Sequence, residues 1–292
     1  STLMLGLLEG GQAWPWGSAV GVGLPAAGLA LLVGFVLVER RVVAPVLPLW
    51  VMSRRTLAGG NLVAAAVGAL LIGVTSYAPT YLQGVLGVGP LTAGLAVAAL
   101  TVGWPLAATY CGRIYLRIGF RATCLIGASA VLLGTLGSAT LSAHSALWQV
   151  TVLCFVIGVG LGLLSGPAIV AVQSAVGWNR RGVVTAATMF FRTIGGALGV
   201  ACFGAVVNAT LTGRLARPPA GLAGRIPTTE DGAVSALRSH PPGLAAPALA
   251  FLRDALAAAT HHVFVGLALV AALAVGAAAL LPREVVTVED VG

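Results

Sequence analysis

The sequence predicts an all-α integral membrane protein built around a bundle of six helices. The chain is 58% hydrophobic and only 8% charged, whereas soluble domains carry about one-quarter charged residues. Its apolar residues fall in runs of about 20, the length that crosses a bilayer as a helix. The 40 glycines agree with this class, because small residues let membrane helices approach each other closely.

Seven complete apolar runs are predicted to cross the membrane. They lie at 17–38, 57–82, 90–110, 122–142, 148–172, 184–208 and 261–281. A shorter apolar run at 1–10 opens on Ser1 and has no basic segment before it. We interpret this run as the end of a helix and not as a signal peptide.

The segments between the runs predict the domain organisation. Residues 39–56 contain two prolines and an amphipathic middle, which is typical of a linker lying against the membrane. Residues 209–260 are rich in Pro, Gly and Ala and predict a long outer loop, in which "LAAPALAFLRDALAAA" is an alternative short interfacial helix. The predicted domains are linker helices at 1–38, a cytoplasmic linker at 39–56, a six-helix bundle at 57–282 that includes the outer loop, and a cytoplasmic tail at 283–292.

Arginines set the predicted orientation, because basic residues in short loops stay on the cytoplasmic side. One set of alternate loops holds ten arginines, and the other holds five, all of them within the long loop. The ten are Arg40, Arg41, Arg54, Arg55, Arg113, Arg117, Arg121, Arg180, Arg181 and Arg283. This pattern explains the net charge of +8, so the expected partner is the lipid bilayer and not nucleic acid.

The stretch "GRIYLRIGFR" at 112–121 concentrates three arginines between two predicted helices. It resembles the cytoplasmic loop motif G-x-L-a-D-R-x-G-R-[RK] of the major facilitator superfamily, with matches at Gly112, Arg113, Arg117, Gly119 and Arg121. The glycines permit a tight turn, and the arginines can cap helix ends and pair with acids. Leu116 stands at the aspartate position of the motif, so any charge relay through that acid is missing.

Other stretches resemble the fourteen-helix drug:proton antiporters of that superfamily, the EmrB/QacA type. They are "FVLVERRVVAPVLPLWVMSRR", "APTYLQGVLGVGPLTAGL" and "AATMFFRTIGGALGVACFG". The resemblance implies that residues 1–38 are the end of helix seven and helix eight, and that 56–282 are helices nine to fourteen. It implies the C-terminal half of a multidrug efflux transporter of the plasma membrane, which exchanges small amphipathic drugs for protons by alternating access. The first six helices, in the same or a separate chain, are then the expected partner.

Arg192 is the one charge inside a complete span, and a charge at that depth is a functional hypothesis. The alternative is a structural role, in which the side chain snorkels or bonds to helix-end carbonyls. No Asp or Glu lies within the seven complete spans, so the proton carrier is expected mainly from the missing half. Two glycine stripes predict close helix packing: Gly195, Gly196 and Gly199, and Gly158, Gly162 and Gly166.

Polar and aromatic residues midway along the spans are candidates for a substrate cavity. They are Asn61, Ser76, Tyr77, Trp104, Thr109 and Gln173. Asn61 and Tyr77 fall within about 20° of the same helical face, and aromatic walls offer stacking and cation–π contacts. For each residue taken singly, packing between helices is the alternative interpretation.

The motifs of enzymes are missing from the sequence: there is no HExxH, no paired aspartates, no G-x-S-x-G and no Cys/His cluster. No enzymatic activity, metal or cofactor is therefore predicted. We interpret the four cysteines as packing residues. A degenerate half-transporter or membrane scaffold that modulates a partner remains the alternative function, because it needs only helices and an interface.

Overall fold

Six long helices make up most of the described structure. The computed structural model describes residues 50–216 and 246–282 continuously, together with isolated positions within 23–37 and 218–237. The long helices are α1 (Arg55–Gly84), α2 (Pro90–Ile118), α3 (Phe120–Ala139), α4 (Leu147–Ser174), α5 (Arg181–Leu215) and α6 (Ala246–Ala278). Each is long and apolar enough to cross a membrane, so the predicted all-α membrane fold is confirmed. The tail at 283–292, and the segment 1–38 apart from its isolated positions, lie outside the described residues.

Two short helical segments lie beside the long helices. The helix Trp50–Ser53 precedes α1, inside the segment predicted as a linker. A 3₁₀ turn, Trp178–Arg180, leads directly into α5. Both segments lie at the end of the bundle where α1 and α5 begin.

The last helix begins much earlier than the hydrophobic run predicts. α6 starts at Ala246 and has 33 residues, whereas the predicted span starts at 261. The stretch interpreted as a separate interfacial helix therefore belongs mainly to α6, because alanine and leucine are strong helix formers that continue a helix outside the hydrocarbon region. At 1.5 Å per residue α6 is about 50 Å long, which exceeds the roughly 30 Å hydrocarbon core.

The connection between α2 and α3 is a single residue, where the sequence predicts a loop. Gly119 has φ 85°, a backbone conformation that side-chain-bearing residues rarely adopt. Its N–H donates to the carbonyl oxygen of Tyr115 at 2.9 Å, and the rings of Tyr115 and Phe120 lie 5.0 Å apart between centroids. The reversal is therefore tight because glycine takes the turn and aromatic rings pack on both sides of it.

The glycine stripe Gly158, Gly162 and Gly166 brings α4 against α2, as the sequence predicts. A Cβ added at Gly162 would lie 2.6 Å from the Trp104 carbonyl oxygen, and one at Gly166 would lie 3.0 Å from the Cys111 sulfur. Gly158 likewise faces the backbone of Leu100. This close approach fixes the position of Trp104 relative to α4.

The second glycine stripe brings α5 against α1. A Cβ at Gly195 would collide with the carbonyl oxygen of Ala65, and one at Gly199 would lie 2.9 Å from Ala69. Gly68 of α1 makes the reciprocal contact, since a Cβ there would collide with the backbone of Arg192. The backbone of Arg192 is thus held against α1.

The two ends of the described bundle differ in charge. Seven arginines lie at the end where α1, α3 and α5 begin: Arg54, Arg55, Arg113, Arg117, Arg121, Arg180 and Arg181. At the opposite end the described arginines are Arg214 and Arg253. We call the first end the arginine-bearing end.

We expect cysteines introduced at Arg113 or Arg181 to face the cytoplasm and those at 210–258 to face outside, because the arginine-bearing end is predicted to stay inside. Labelling of intact cells with an impermeant thiol reagent, in a background without the native cysteines, tests this topology. If residue 230 is labelled only after permeabilisation, the orientation is the reverse of the one predicted.

Candidate functional site

A cavity of about 240 Å³ lies inside the bundle between α1, α2, α4 and α5. Most of its wall is apolar, and α3 and α6 contribute none of the described lining residues. The side chains that decide its chemistry are Trp104 of α2, Ser165 of α4, and Thr188, Met189 and Arg192 of α5. The cavity therefore lies on the side of the bundle formed by four of the six helices.

Arg192 stacks on Trp104 across this cavity. The guanidinium carbon lies 5.0 Å from the centroid of the indole ring, within the range of a cation–π interaction. Trp104 is at the midpoint of α2, and Arg192 is about 16 Å along α5 from its start. The stacked pair thus places a positive charge beside the middle of a helix long enough to span a membrane, where it joins α2 to α5.

No carboxylate of the described residues accompanies this charge. Among those residues the only acidic one is Asp254, near the opposite end of the bundle in α6. The cation–π contact offsets part of the cost of holding an arginine at this depth. The guanidinium therefore keeps donors for an anionic or hydrogen-bonding group that enters the cavity.

Asn61 is fully buried and ties three elements together. Its amide nitrogen donates to the carbonyl oxygen of Val51 at 3.3 Å, and its amide oxygen accepts from the hydroxyl of Thr188 at 3.2 Å. These bonds join the helix Trp50–Ser53, α1 and α5. Asn61 is not among the lining residues of the cavity.

Tyr77 lies on the same face of α1 as Asn61, as the spacing predicts. Its ring meets Phe203 of α5 edge to face, with centroids 6.3 Å apart, so both residues contact the same neighbouring helix. Gln173 also ties helices together, since its amide donates to the hydroxyl of Thr185 at 2.9 Å. Tyr77 and Gln173 contact α5 outside the lining of the cavity.

The two remaining candidates of the predicted cavity are exposed. Ser76 and Thr109 lie on the surfaces of α1 and α2. The Thr109 hydroxyl donates to the carbonyl oxygen of Pro105 within its own helix, at 2.8 Å. The structure thus brings together Arg192 and Trp104, and it places the other predicted residues elsewhere.

The residues that resemble the family loop motif lie mainly in helices. Arg113 and Arg117 are exposed near the end of α2, and Arg121 is partly buried in the first turn of α3. Gly112 belongs to α2, and Gly119 forms the turn between the helices. The arginines therefore project from two helix ends that meet at Gly119.

Sequence reasoning missed Thr188, Met189 and Ser165 as cavity residues. Thr188 comes four residues before Arg192, a spacing that places two side chains on one helical face. The position of Arg192 could therefore have been used to predict Thr188 as a cavity residue. Ser165 adjoins Gly166 of the glycine stripe, but nothing in the sequence showed which helix it faces. Within the described residues, no group of three His, Cys, Asp or Glu side chains is placed to hold a metal.

Comparison with known proteins gives the family. The model of the Major Facilitator Superfamily matches residues 2–200. The chain is 29% identical over 208 residues to the multidrug transporter protein MdtP of Bacillus subtilis, which covers 71% of the chain and 38% of MdtP. It is 30% identical over 215 residues to a tetracycline resistance determinant of Streptomyces rimosus, covering 73% of the chain and 62% of that protein.

A further relative is the puromycin resistance protein pur8 of Streptomyces alboniger, 30% identical over 207 residues, with 69% of the chain and 40% of that protein covered. The chain therefore spans about two fifths of MdtP and of pur8. The family match extends through α1 to α4 and into α5, which includes the four helices that line the cavity. The chain belongs to the Major Facilitator Superfamily, a family of multi-pass membrane transporters.

Proposed function

We propose that the chain forms the C-terminal half of a secondary active efflux transporter that exchanges amphipathic drugs for protons by alternating access. The observation that carries this proposal is the Arg192–Trp104 pair, stacked at membrane depth in a cavity lined by α1, α2, α4 and α5. An ionisable group at that depth is expensive and is typical of a substrate or ion pathway. The multidrug, tetracycline and puromycin relatives favour a drug as the substrate class.

The cavity is one wall of a larger site in this proposal. Its volume of about 240 Å³ is below the roughly 300–1,000 Å³ of pockets that take drug-sized molecules. In transporters built from repeats, the substrate site lies at the interface between the repeats. A second six-helix half, in the same or a separate chain, would complete the site over the mouth of the cavity, and the greater length of the relatives supports this arrangement.

Proton coupling in this proposal depends on an acid of the second half. No carboxylate of the described residues lies in the cavity, while Arg192 supplies a fixed positive charge there. An ionised acid facing Arg192 would be held by charge attraction, and its protonation would release it. The exchange of a proton for a drug at this point would then switch the two halves between their inward-facing and outward-facing arrangements. We place the assembled transporter in the plasma membrane, with the arginine-bearing end inside.

Proteoliposomes with a trapped pH-sensitive dye test the proposal. The chain together with the N-terminal six-helix half of a related exporter is expected to give drug-driven proton flux, and the chain alone is expected to give none, because one half has no partner to move against. Flux of equal size from the chain alone would contradict the half-transporter assignment. Drug transport by the two halves without proton flux would contradict the coupling.

A further inference from the structure

A second and larger cavity, of about 750 Å³, lies at the arginine-bearing end of the bundle. It forms where the helix Trp50–Ser53, the start of α1, the end of α4 and the turn before α5 meet, and Pro282 after α6 lines it too. It shares no lining residue with the Arg192–Trp104 cavity. We call it the end cavity.

The end cavity carries positive charge that no described acid balances. Arg54 and Arg180 line it, and the guanidinium carbon of Arg180 lies 5.3 Å from the centroid of the Trp50 ring. The only acidic side chain of the described residues, Asp254, is about 36 Å away along α6 from the end of that helix. A ligand with a negative charge is therefore favoured here.

Backbone groups strengthen this preference. α1 is 30 residues long and starts beside Arg54, and no side chain caps its first turn. The first N–H groups of this helix are therefore free to donate to a ligand, at the positive end of the helix dipole. Thr56 in that turn lines the cavity. The amide group of Asn179 adds a further donor around the same space.

The rest of the wall is apolar, which points to an amphipathic ligand. Ala171, Ala175 and Val176 line the cavity beside the two arginines, and Trp50 is a residue type enriched where membrane meets water. Basic pockets between helices at a membrane surface bind anionic lipid headgroups. We propose that the end cavity binds an anionic phospholipid, with its phosphate between Arg54 and Arg180 and its first acyl carbons against the apolar wall. The assignment does not depend on drug transport.

Native mass spectrometry of the full chain in detergent, titrated with phosphatidylglycerol, tests the proposal. We expect one phosphatidylglycerol to bind, and phosphatidylcholine and inorganic phosphate to bind at least about tenfold more weakly, since each lacks either the net charge or the apolar part. Replacing both arginines, Arg54→Gln with Arg180→Gln, should weaken binding about thirtyfold, because each basic residue contributes about a factor of five.

The matched control removes the same charge at the same end but outside the cavity. Arg113→Gln with Arg117→Gln should leave phosphatidylglycerol binding within about twofold of the original protein. Arg54→Lys with Arg180→Lys keeps both charges and should retain most of the binding, while the unfolding temperature of each variant reports whether it folds.

Four results would overturn the proposal. One is equal phosphatidylglycerol affinity in the glutamine variant and the original protein; another is loss of binding in a folded lysine variant, which would remove charge as the determinant. Inorganic phosphate binding as tightly as phosphatidylglycerol would identify a free anion site in place of a lipid site. Phosphatidylglycerol binding that appears only when residues 283–292 are deleted would assign the cavity to that segment, which contains Glu284, Glu289 and Asp290.

Discussion

Replacing Arg192 by alanine is expected to lower drug efflux by the assembled transporter at least about tenfold, without changing its abundance in the membrane. The substitution removes the charge from the Arg192–Trp104 cavity and ends the stacking that joins α5 to α2, and a loss of about 1.4 kcal/mol in a required interaction suffices for that factor. Arg192→Lys should give an intermediate rate, because lysine keeps the charge but not the planar guanidinium. Efflux of a fluorescent drug, normalised to protein abundance, measures the effect.

The matched control for this prediction is Arg214→Ala. Arg214 belongs to the same helix but lies in its last turn, at the opposite end of the bundle. We expect its removal to leave efflux unchanged. A fall in efflux that merely follows a fall in abundance for Arg192→Ala would show that the side chain acts as a structural lock.

Replacing Gly195 by alanine is expected to lower the free energy of unfolding by about 2 kcal/mol or more. The added Cβ would meet the carbonyl oxygen of Ala65, which is backbone and cannot rotate away. α5 would have to separate from α1, and the buried bond between Asn61 and Thr188 joins the same helix pair. Denaturant unfolding in detergent micelles, followed by circular dichroism, measures the loss.

Gly182→Ala provides the control within α5. A Cβ at Gly182 meets no atom within 4 Å, so the change should be neutral or stabilise the helix by up to about 1 kcal/mol. Equal destabilisation by both substitutions would show that the glycine stripe does not set the distance between α1 and α5.

The sequence predicted the six spans of the bundle because each contains an apolar run long enough to cross a membrane. It did not predict where the helices end. α6 starts at Ala246 and α2 continues to Ile118, since helix propensity and hydrophobicity are different properties and a helix extends into water where its residues favour it. The connection at Gly119 was expected to be a loop because the arginines on either side of it are polar. Polar residues are, however, also common at helix ends.

The site was predicted only as separate residues. Arg192 and Trp104 each stood out, but their contact depends on which helices pack together, and spacing along one helix does not give its neighbour. The same limit applies to Asn61: its position on the face of α1 was predictable, whereas its hydrogen bonds to Val51 and Thr188 depend on the packing of other elements. The glycine stripes came closest to predicting tertiary contacts, because a row of missing side chains requires a close partner.

Thiol accessibility tests most directly whether the Arg192–Trp104 cavity is the substrate site. Two exposed positions of similar depth are compared, Ala108 in the wall of this cavity and Leu269 on α6. The single-cysteine variants Ala108→Cys and Leu269→Cys are made in a chain without its native cysteines and placed in membranes together with the second half. The reaction of each cysteine with an impermeant anionic thiol reagent is then followed with and without drug. We expect the cysteine at position 108 to react and drug to slow its reaction, while the cysteine at position 269 stays unreactive in lipid. Equal reactivity at the two positions, or no effect of drug at position 108, would contradict a substrate site in this cavity.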